Sequence, residues 1–413
     1  MKILFLHQNF PGQFVHLAPA LVKEGHDVHA LVLKKEAPAE WFGVHIHTYQ
    51  PAKGTAQGVH PWALDLETKI IRAESVFRKC LELKAQGFVP DVVVAHPGWG
   101  ESLFIKDVWP TTKLGLYCEL NYTEKGNDVG FDPEFANSDP GDSCRLRLKN
   151  VNNVMHFDVA DSAISPTNFQ ADTYPWPFRG KIKVMHDGID TKVIAPNELA
   201  TYQLPSGQIL SRSDEVITFA NRNLEPYRGY HVFMRTLPKL LQDRPNAQVI
   251  IVGGDSVSYG KPPAGKTTWK QVFIDEVRSQ IDDKDWARVH FVGHLAHSHF
   301  VSLLQVSRVH VYLTYPFVAS WSLLEAMSVG CAIVGSDTDP VKEFIEHDKH
   351  GLITPFFDQE QLHNSIVKLL DDPDLRKRLG REARQKIQFY YDLHSICLPK
   401  LVRWVEFLSH VRS

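Results

Sequence analysis

The chain of 413 residues is 43% hydrophobic and 23% charged, with a formal net charge of −3. This length suggests two or three domains of roughly 100–200 residues each, and the composition excludes wholesale disorder. A slightly negative chain has no general basic field for a polyanion, so nucleic acid is not expected as a partner. No apolar run approaches the ~18 residues of a membrane span, although contact with a membrane surface stays open. The five cysteines are far apart and form no C-x-x-C pair, a pattern that argues against a disulfide framework or a zinc site and suits the cytoplasm.

The first 195 residues predict a Rossmann-like domain. Lys2–Leu6 is a short apolar strand. After a polar turn with Pro11 and Gly12, apolar residues at helical spacing predict a helix that ends at Gly25. Further strands are predicted at residues 28–33, 91–95, 114–118, 162–165 and 182–185. Strands that alternate with helices are typical of a parallel sheet with right-handed crossovers.

A second alternating series begins after an interruption. Residues 196–215 contain prolines, a glycine and several serines without sustained periodicity, so we interpret them as a linker. A second Rossmann-like domain is predicted over residues 216–390, with strands at 216–220, 249–252, 290–292, 309–313 and 332–335. In open parallel sheets ligands bind outside the carboxyl ends of the strands, so the functional residues are expected in the cleft that those ends face.

Two segments of the second domain carry side chains suited to a nucleotide. Arg222 and Arg228 lie between a predicted strand and a helix. Two guanidinium groups beside a helix N-terminus suit a pyrophosphate, although surface salt bridges are the alternative. Glu325 lies in the first turns of a later helix, where its carboxylate can accept both hydroxyls of a ribose. A solvent-facing carboxylate is the alternative for Glu325.

Five segments together resemble the retaining glycosyltransferases of family four. They are K-E-G-H-D-V at 23–28, V-M-H-D-G-I-D at 184–190, R-N-L-E-P-Y-R-G at 222–229, L-L-E-A-M-S-V-G at 323–330 and H-G-L-I-T-P-F at 350–356. The resemblance covers nearly the whole chain. It implies the α/β GT-B fold, in which two doubly wound Rossmann-like domains face a central cleft, and a C-terminal helix at 391–413 that returns to the N-terminal domain.

The resemblance also implies the reaction. Such enzymes move a sugar from a nucleoside-diphosphate-sugar donor to an acceptor hydroxyl with retention of configuration, and the leaving phosphate takes the acceptor proton. Arg222 and Arg228 would act in catalysis by binding the diphosphate, Glu325 would bind the ribose, and Gly12 would let the backbone approach the donor at the N-terminus of the first helix. The remaining donor contacts are expected at Gly293, His294, Ser320, Trp321, Ser322 and Leu323. No metal or other cofactor is expected, and the acceptor is a glycan, a lipid-linked molecule or a small molecule.

Two departures from the family pattern affect this interpretation. Phe317 stands where the family has the first glutamate of its E-x7-E pair, and Arg228 stands where it has a lysine. Loss of the glutamate removes a carboxylate for the hydroxyls of the donor sugar. It keeps open a non-catalytic homologue that binds nucleotide sugars. Backbone amides at Ser320 and Trp321 are the hypothetical replacement contacts.

The first domain is expected to bind the acceptor. His96, Trp99 and Glu101 follow the strand at 91–95, and Glu119 and Asn121 follow the strand at 114–118. His96 is the candidate catalytic residue that orients the attacking hydroxyl. An incidental histidine in a glycine-kinked surface loop is the alternative.

Three other patterns suggest chemistry that we do not infer. Residues 260–267 read G-x-x-x-x-G-K-T, but their prolines remove backbone donors and the preceding strand ends too early for a phosphate-binding loop. Asp337 and Asp339 form a D-x-D, and His294, His297 and His299 form H-x-x-H-x-H without an acidic or cysteine cluster. Three alternatives to a transferase stay open. They are a nucleotide-sugar epimerase of the same two-domain plan, the non-catalytic homologue, and a P-loop ATPase that depends on Lys266.

Overall fold

The computed structural model describes residues 1–136 and 139–410 and divides the chain into two compact units. Unit 1 consists of Met1–Gly188 together with the residues from Leu393 on, and unit 2 is Ile189–Asp392. Each unit contains one large sheet flanked by helices. In the described residues no helix has the length and hydropathy needed to cross a bilayer.

Unit 1 is built on an eight-stranded sheet. Its strands are β1 Lys2–Leu6, β2 Asp27–Leu33, β3 Glu40–Trp41, β4 Val44–Tyr49, β5 Val92–Ala95, β6 Lys113–Tyr117, β7 Ser162–Ser165 and β8 Ile182–Val184. Their order is β3-β4-β2-β1-β5-β6-β7-β8, and every neighbouring pair is parallel except β3 with β4. The helices are α1 Leu17–Lys23, α2 Leu64–Ala85, α3 Ile105–Val108, α4 Asp142–Lys149, α5 Val151–Val159 and α6 Asn168–Asp172.

The central strands of this sheet are apolar because both of their faces are covered. Ile3 and Phe5 of β1 belong to one buried cluster, and Leu4 and Leu6 belong to another. Successive side chains of a strand point to opposite faces, so this division places one core on each side of the sheet. Continuous apolar runs are the expected sequence pattern of such a doubly covered parallel sheet.

Unit 2 opens with a hairpin that corrects the linker prediction for residues 196–215. Strands β9 Thr201–Gln203 and β10 Ile209–Ser211 pair antiparallel. Their buried residues Tyr202 and Leu210 join the cluster that contains Val216 of the following sheet. Strands this short carry little periodicity, and the Pro-Ser-Gly of the hairpin turn resembles linker composition.

The sheet of unit 2 has six parallel strands. They are β11 Val216–Asn223, β12 Gln248–Gly254, β13 Val289–Gly293, β14 Val309–Tyr312, β15 Ala332–Ser336 and β16 Leu352–Thr354, in the order β13-β12-β11-β14-β15-β16. The helices are α7 Tyr230–Asp243, α8 Trp269–Arg278, α9 Asp283–Trp286, α10 His297–Val306, α11 Trp321–Ser328, α12 Asp339–Lys342, α13 Gln359–Asp371 and α14 Pro373–Tyr390.

The last described segment belongs to unit 1. A π-helical turn at Leu393–Cys397 leads into α15 Leu398–Leu408, whose Trp404 and Leu408 enter the core beside α1. Gly115 of β6 lets this helix approach, since a Cβ there would lie 2.7 Å from the Leu408 side chain. The units change at Gly188 and Leu393 rather than at residues 195 and 391. Residues 411–413 of the predicted helix lie outside the described residues.

Candidate active site

Arg222 lies at the carboxyl edge of the second sheet, in an irregular part of β11. The pairing of β11 with β12 shifts register between Ala220 and Asn223. Such a bulge changes the direction of a side chain and is common beside active sites. The Arg222 side chain is exposed and has no hydrogen bond or ion pair with any residue that the structure describes. Its guanidinium group is therefore available to an anion.

Arg228, by contrast, is a buried brace for the loop between β14 and α11. It ends the 3-10 turn Pro226–Arg228, and only 4% of it is exposed. One guanidinium nitrogen donates to Thr314 Oγ1 at 2.8 Å and to the Val318 carbonyl at 3.0 Å. The two predicted diphosphate ligands therefore differ: the Arg222 side chain has no partner among the described residues, whereas Arg228 holds the loop in place.

Aromatic side chains pack around Arg228, and Phe317 is one of them. The Phe317 ring lies 4.8 Å from the Tyr259 ring and 5.8 Å from the Tyr227 ring, between centroids. The guanidinium carbon of Arg228 lies 4.9 Å from the Tyr259 centroid and 5.9 Å from that of Phe317. Cation–π contacts of this kind favour a buried cation. The residue at the family's glutamate position is here a wall of the arginine pocket.

Glu225 orders the neighbouring loop and is a residue that sequence analysis missed. It is fully buried, and its carboxylate accepts the backbone N–H groups of Ser258, Tyr259 and Gly260 at 3.0, 3.3 and 3.0 Å. The N–H of Gly260, first residue of the G-x-x-x-x-G-K-T match, is therefore already bonded to a carboxylate. A glutamate before a proline gives no sequence signal for such burial.

Near the start of α11, three backbone N–H groups of the predicted donor contacts have partners within the protein. The Ser320 N–H donates to the Tyr312 hydroxyl at 2.7 Å. The Ser322 N–H donates to Ser320 Oγ at 3.3 Å, and the Leu323 N–H donates to the Ser320 carbonyl at 3.1 Å. The Leu323 side chain lies in the core, and Trp321 is 37% exposed. The Ser322 and Leu323 N–H groups thus bond to the N-cap residue Ser320, as is usual in the first turn of a helix.

Glu325 forms an ion pair with a histidine that the sequence placed in a separate pattern. Glu325 is 8% exposed, and its Oε1 lies 2.7 Å from Nε2 of His297, the first residue of α10. The hydrogen bond to Glu325 raises the pKa of His297, although partial burial opposes the shift. The carboxylate predicted to bind a ribose therefore faces a partly exposed imidazole.

Gly293 and His294 lie at the same carboxyl edge. Gly293 ends β13, and the exposed His294 follows it. The His294 ring lies over Gly254 at the end of β12, where a Cβ would be 2.3 Å from Nε2 and 2.7 Å from Oδ1 of Asn223. Gly254 thus allows the imidazole to approach the backbone. Asp337 and Asp339, further along this edge, both pair with Lys342, at 3.0 and 3.1 Å.

In unit 1, His96 and Glu119 meet at the carboxyl edge of the first sheet. His96 is 3% exposed and accepts the Gly98 N–H at Nδ1, 3.1 Å away. Its Nε2 lies 3.4 Å from Oε2 of Glu119, whose side chain is 38% exposed. The imidazole stacks on Trp99 with centroids 4.1 Å apart. The structure therefore brings three of the predicted acceptor residues together.

His7 completes this group and was missed. His7 directly follows β1 and His96 directly follows β5, and the two strands pair Leu6 with Ala95. A histidine at the end of each of two predicted parallel strands was the sequence signal that could have identified His7. Its Nε2 lies 2.7 Å from Gln13 Oε1, and its ring is 4.8 Å from that of Trp99. Burial, with a smaller contribution from His96, lowers the pKa of His7 to about 4. The imidazole is therefore neutral at pH 7.

Gly12 lies at a different place from the predicted one. It opens the 3-10 turn Gly12–Phe14, whereas α1 begins at Leu17, so Gly12 is not at the N-terminus of that helix. Its φ is +48°, and a Cβ would lie 2.3 Å from the His7 ring. The absent side chain makes room for the imidazole.

Glu101 and Asn121, the other two residues predicted to bind an acceptor, are buried and bonded to neighbouring residues. Glu101 is 1% exposed, accepts the Tyr49 hydroxyl at 2.9 Å, and has its pKa raised by burial. Asn121 donates through its backbone and side chain to Thr173, at 2.9 and 3.2 Å, and accepts from Asn153 at 3.2 Å. Both side chains are thus bonded within unit 1.

One group in unit 1 has ligand types that suit a metal, away from these residues. Oxygen and nitrogen atoms of Asp27, His29 and His45 lie within 4.8 Å of one another. These residues belong to the amino-terminal parts of β2 and β4, whereas His7 and His96 follow the carboxyl ends of their strands. The sugar-transfer chemistry implied by the resemblance makes no use of this group.

Comparison with solved structures defines the fold class. Sucrose-phosphate synthase from Thermosynechococcus elongatus is similar over 99% of this chain and 100% of that one, with a TM-score of 0.72 and 16% identity. Anabaena HepE, solved in complex with UDP, has a TM-score of 0.67 at 17% identity over 99% of this chain and all of that one. The protein has the GT-B fold of glycosyltransferases.

The family follows from the sequence comparisons. Residues 24–194 match the Glycosyl transferase family 4 group and residues 206–386 match Glycosyl transferases group 1. The chain belongs to the family-four, group 1 glycosyltransferases. Glycogen synthase of Mycobacterium tuberculosis is 25% identical over 96% of this chain and 92% of its own length. Phosphatidyl-myo-inositol mannosyltransferase of Mycolicibacterium smegmatis is 26% identical over 43% of this chain and 42% of its own.

Proposed function

We propose that the protein transfers a sugar from a nucleoside-diphosphate sugar to an acceptor hydroxyl with retention of the anomeric configuration. The observation that carries the proposal is the exposed guanidinium group of Arg222, on its bulge at the carboxyl edge of the second sheet, which has no partner in the part of the chain that the structure describes. Support also comes from related folds, since structures of HepE hold UDP and UDP-glucose.

In the proposed donor site, Arg222 binds the diphosphate directly. Arg228 contributes its buried charge and fixes the loop that begins at Thr314. Glu325 accepts the ribose hydroxyls, and His294 lies beside the base. The bond from the anomeric carbon to the leaving phosphate breaks as the acceptor oxygen bonds to that carbon on the same face, and the acceptor proton goes to a phosphate oxygen. Fixed positive charge stabilises the charge that develops on the leaving group.

In the proposed acceptor site, His96 orients the attacking hydroxyl. Its Nδ1 accepts a backbone N–H, so the proton lies on Nε2, which faces Glu119. Nε2 lies 3.4 Å from Glu119 Oε2 and has no hydrogen-bond partner among the described residues. The carboxylate of the partly exposed Glu119 can also accept a hydrogen bond from a sugar hydroxyl. The neutral His7 packs against the same Trp99 and supports its position.

Replacement of Arg222 tests this function. Arg222→Ala is expected to lower turnover by about 10²–10³-fold because one stabilising donor to the developing phosphate charge is lost. Arg381→Ala is the matched control, since Arg381 is exposed on α14 of the same unit. Transfer from UDP-glucose and GDP-mannose to a panel of acceptors is measured, and NMR of the product gives its configuration. An inverted product or undiminished turnover in Arg222→Ala would contradict the proposal.

A second arm addresses the acceptor side. His96→Ala is expected to reduce transfer while donor binding persists, because His96 belongs to unit 1 and the diphosphate ligands belong to unit 2. Calorimetric titration with UDP measures donor-site binding independently of transfer. Loss of UDP binding in His96→Ala would show that the residue does not act on the acceptor alone.

A further inference from the structure

Unit 2 has a concave surface at the amino ends of its strands. A cavity of about 350 Å³ is lined by Arg308 just before β14, by Ala332 at the start of β15, and by Arg376 and Lys377 at the start of α14. The residues proposed for the donor lie at the carboxyl ends of the same strands. The sheet therefore separates this cavity from the donor site.

The cavity is strongly positive. Four cationic side chains line it, Arg212, Arg308, Arg376 and Lys377, against one carboxylate, Glu198. The Glu198 side chain is 83% exposed, and its nearest contact is 3.8 Å from Arg212 Nε. Exposed pairs at this distance contribute little and neutralise little charge.

The acidic residues around the cavity have other partners. Glu215 is bonded to Arg244 through both of its carboxylate oxygens and lies 4.0 Å from Arg308. Asp372 Oδ1 accepts the Leu375 N–H at 2.8 Å and thereby caps α14. Both carboxylates offset part of the charge of Arg376, but neither of them lines the cavity.

Backbone carbonyl groups orient two of the arginines without neutralising them. Arg376 Nη1 donates to the carbonyls of Leu369 and Leu370 at 2.5 and 2.7 Å. Arg308 donates to the carbonyls of Arg212 and Ser213. Burial, and then the charge of Arg308, lower the pKa of Arg376. Neutral carbonyl groups therefore hold these two guanidinium groups in place, and the nearby carboxylates Glu215 and Asp372 offset only part of their charge.

A close helix contact fixes the wall of the cavity. A Cβ at Gly380 of α14 would lie 2.2 Å from the carbonyl oxygen of Gly330, so the helix backbone touches the segment before β15. Arg376 precedes Gly380 by one helical turn and shares its face. This contact positions Arg376 over the amino ends of β14 and β15.

We propose that this cavity binds a small phosphorylated anion, such as a sugar phosphate. Arginine pairs with phosphate oxygens in a forked, charge-assisted geometry, and a fixed guanidinium group loses little entropy on binding. The volume falls within the range of ~300–1,000 Å³ that is usual for small-molecule pockets. The proposal does not depend on the proposed transferase activity, because the cavity shares none of the residues assigned to the donor.

Calorimetric titration of the full chain tests the proposal, with inorganic phosphate and glucose 6-phosphate as probes and with excess UDP present or absent. Binding of one molecule per chain is expected, unchanged by UDP and weakened by salt as charge screening requires. Tighter binding of glucose 6-phosphate would identify a phosphorylated metabolite, and equal binding would identify free phosphate. No binding, or competition by UDP, would overturn the proposal.

Substitution of Lys377 tests whether the anion binds in the cavity. Lys377→Glu is expected to weaken binding by roughly tenfold or more, since one charge-assisted contact is lost and a repulsive charge is gained. Lys284→Glu is the matched control, because Lys284 is exposed on α9 and does not line the cavity. Both lysines lie at the surface, so neither change threatens the fold. Equal affinity of the two variants would locate the anion elsewhere.

Discussion

Arg222 and Arg228 belong to one sequence motif, yet their side chains have opposite environments. The motif and its position after a strand indicated a site for diphosphate. The burial of Arg228 could not be predicted from the sequence, because it depends on Thr314, Val318 and Tyr259, which are distant in the chain. The same applies to Glu325, whose partner His297 comes from the preceding helix. Residue types at strand ends were thus predictable, whereas their partners came from folding.

Glu325 yields a prediction with two readouts. Glu325→Gln is expected to weaken donor binding by roughly 10–100-fold, because hydrogen bonds to a charged group contribute about 1.5–3 kcal/mol. The pKa of His297 is expected to fall, because Glu325 raises it through their hydrogen bond. UDP titration measures the affinity, and NMR titration of the imidazole measures the pKa.

A distant carboxylate serves as the control for Glu325. Glu346 pairs with Lys349 at the surface, so Glu346→Gln should leave both readouts unchanged. An unchanged pKa of His297 in Glu325→Gln would show that the ion pair is absent in solution.

Gly12 yields a prediction about stability. Gly12→Ala is expected to destabilise unit 1 by about 1–3 kcal/mol beyond a control at another left-handed glycine, because the new Cβ meets the His7 ring. Gly25 is that control, since its φ is +84° and a Cβ added there would have nothing within 4 Å. Urea unfolding compares Gly12→Ala with Gly25→Ala. Equal losses would mean that His7 does not occupy this position.

At the scale of elements, the parallel strands were predictable and the β9–β10 hairpin was not. Apolar runs bounded by turns marked β1, β5, β11 and β14 to within a few residues, because strands covered on both faces need continuous apolar sequence. The hairpin has three residues in each strand and relies on contacts with the sheet of unit 2. Such an element is stabilised by tertiary packing, which local composition does not encode.

The hairpin is tested by a matched pair of leucines. Leu210→Ala is expected to destabilise unit 2 by about 2–5 kcal/mol, the usual cost of truncating a fully buried leucine. Leu199 is 89% exposed just before β9, so Leu199→Ala should change stability by less than about 0.5 kcal/mol. Guanidinium unfolding followed by circular dichroism measures both. Equal, small effects would support the original interpretation of residues 196–215 as a linker.

At the scale of the whole molecule, buried neutral histidines in both units predict sensitivity to acid. Burial lowers the pKa of His156 in unit 1 and of His310 in unit 2 to about 4. An unfolded chain binds these protons near pH 6.5, so the stabilising contribution is complete above that pH. It is lost as the pH falls from about 6.5 to 4, at up to about 1.4 kcal/mol per pH unit for each histidine.

Denaturant unfolding at several pH values between 7.5 and 5 measures this dependence. His310→Gln is expected to reduce the slope of unfolding free energy against pH by one histidine's share, whatever its effect at pH 7.5. His294→Gln is the control, since His294 is exposed. A slope unchanged by His310→Gln would show that folding does not lower the pKa of His310.

The return of α15 to unit 1 has a consequence for biosynthesis. Unit 2 is one continuous stretch of chain, whereas unit 1 takes Trp404 and Leu408 from a segment translated after all of unit 2. Domains usually fold in N-to-C order during synthesis, but here all residues of unit 2 are available before unit 1 is complete. When the first 188 residues have left the ribosome, the apolar surface around Gly115 is still exposed, because the helix that covers it has not been translated. It stays exposed until the final helix is made, by which time all residues of unit 2 have been translated.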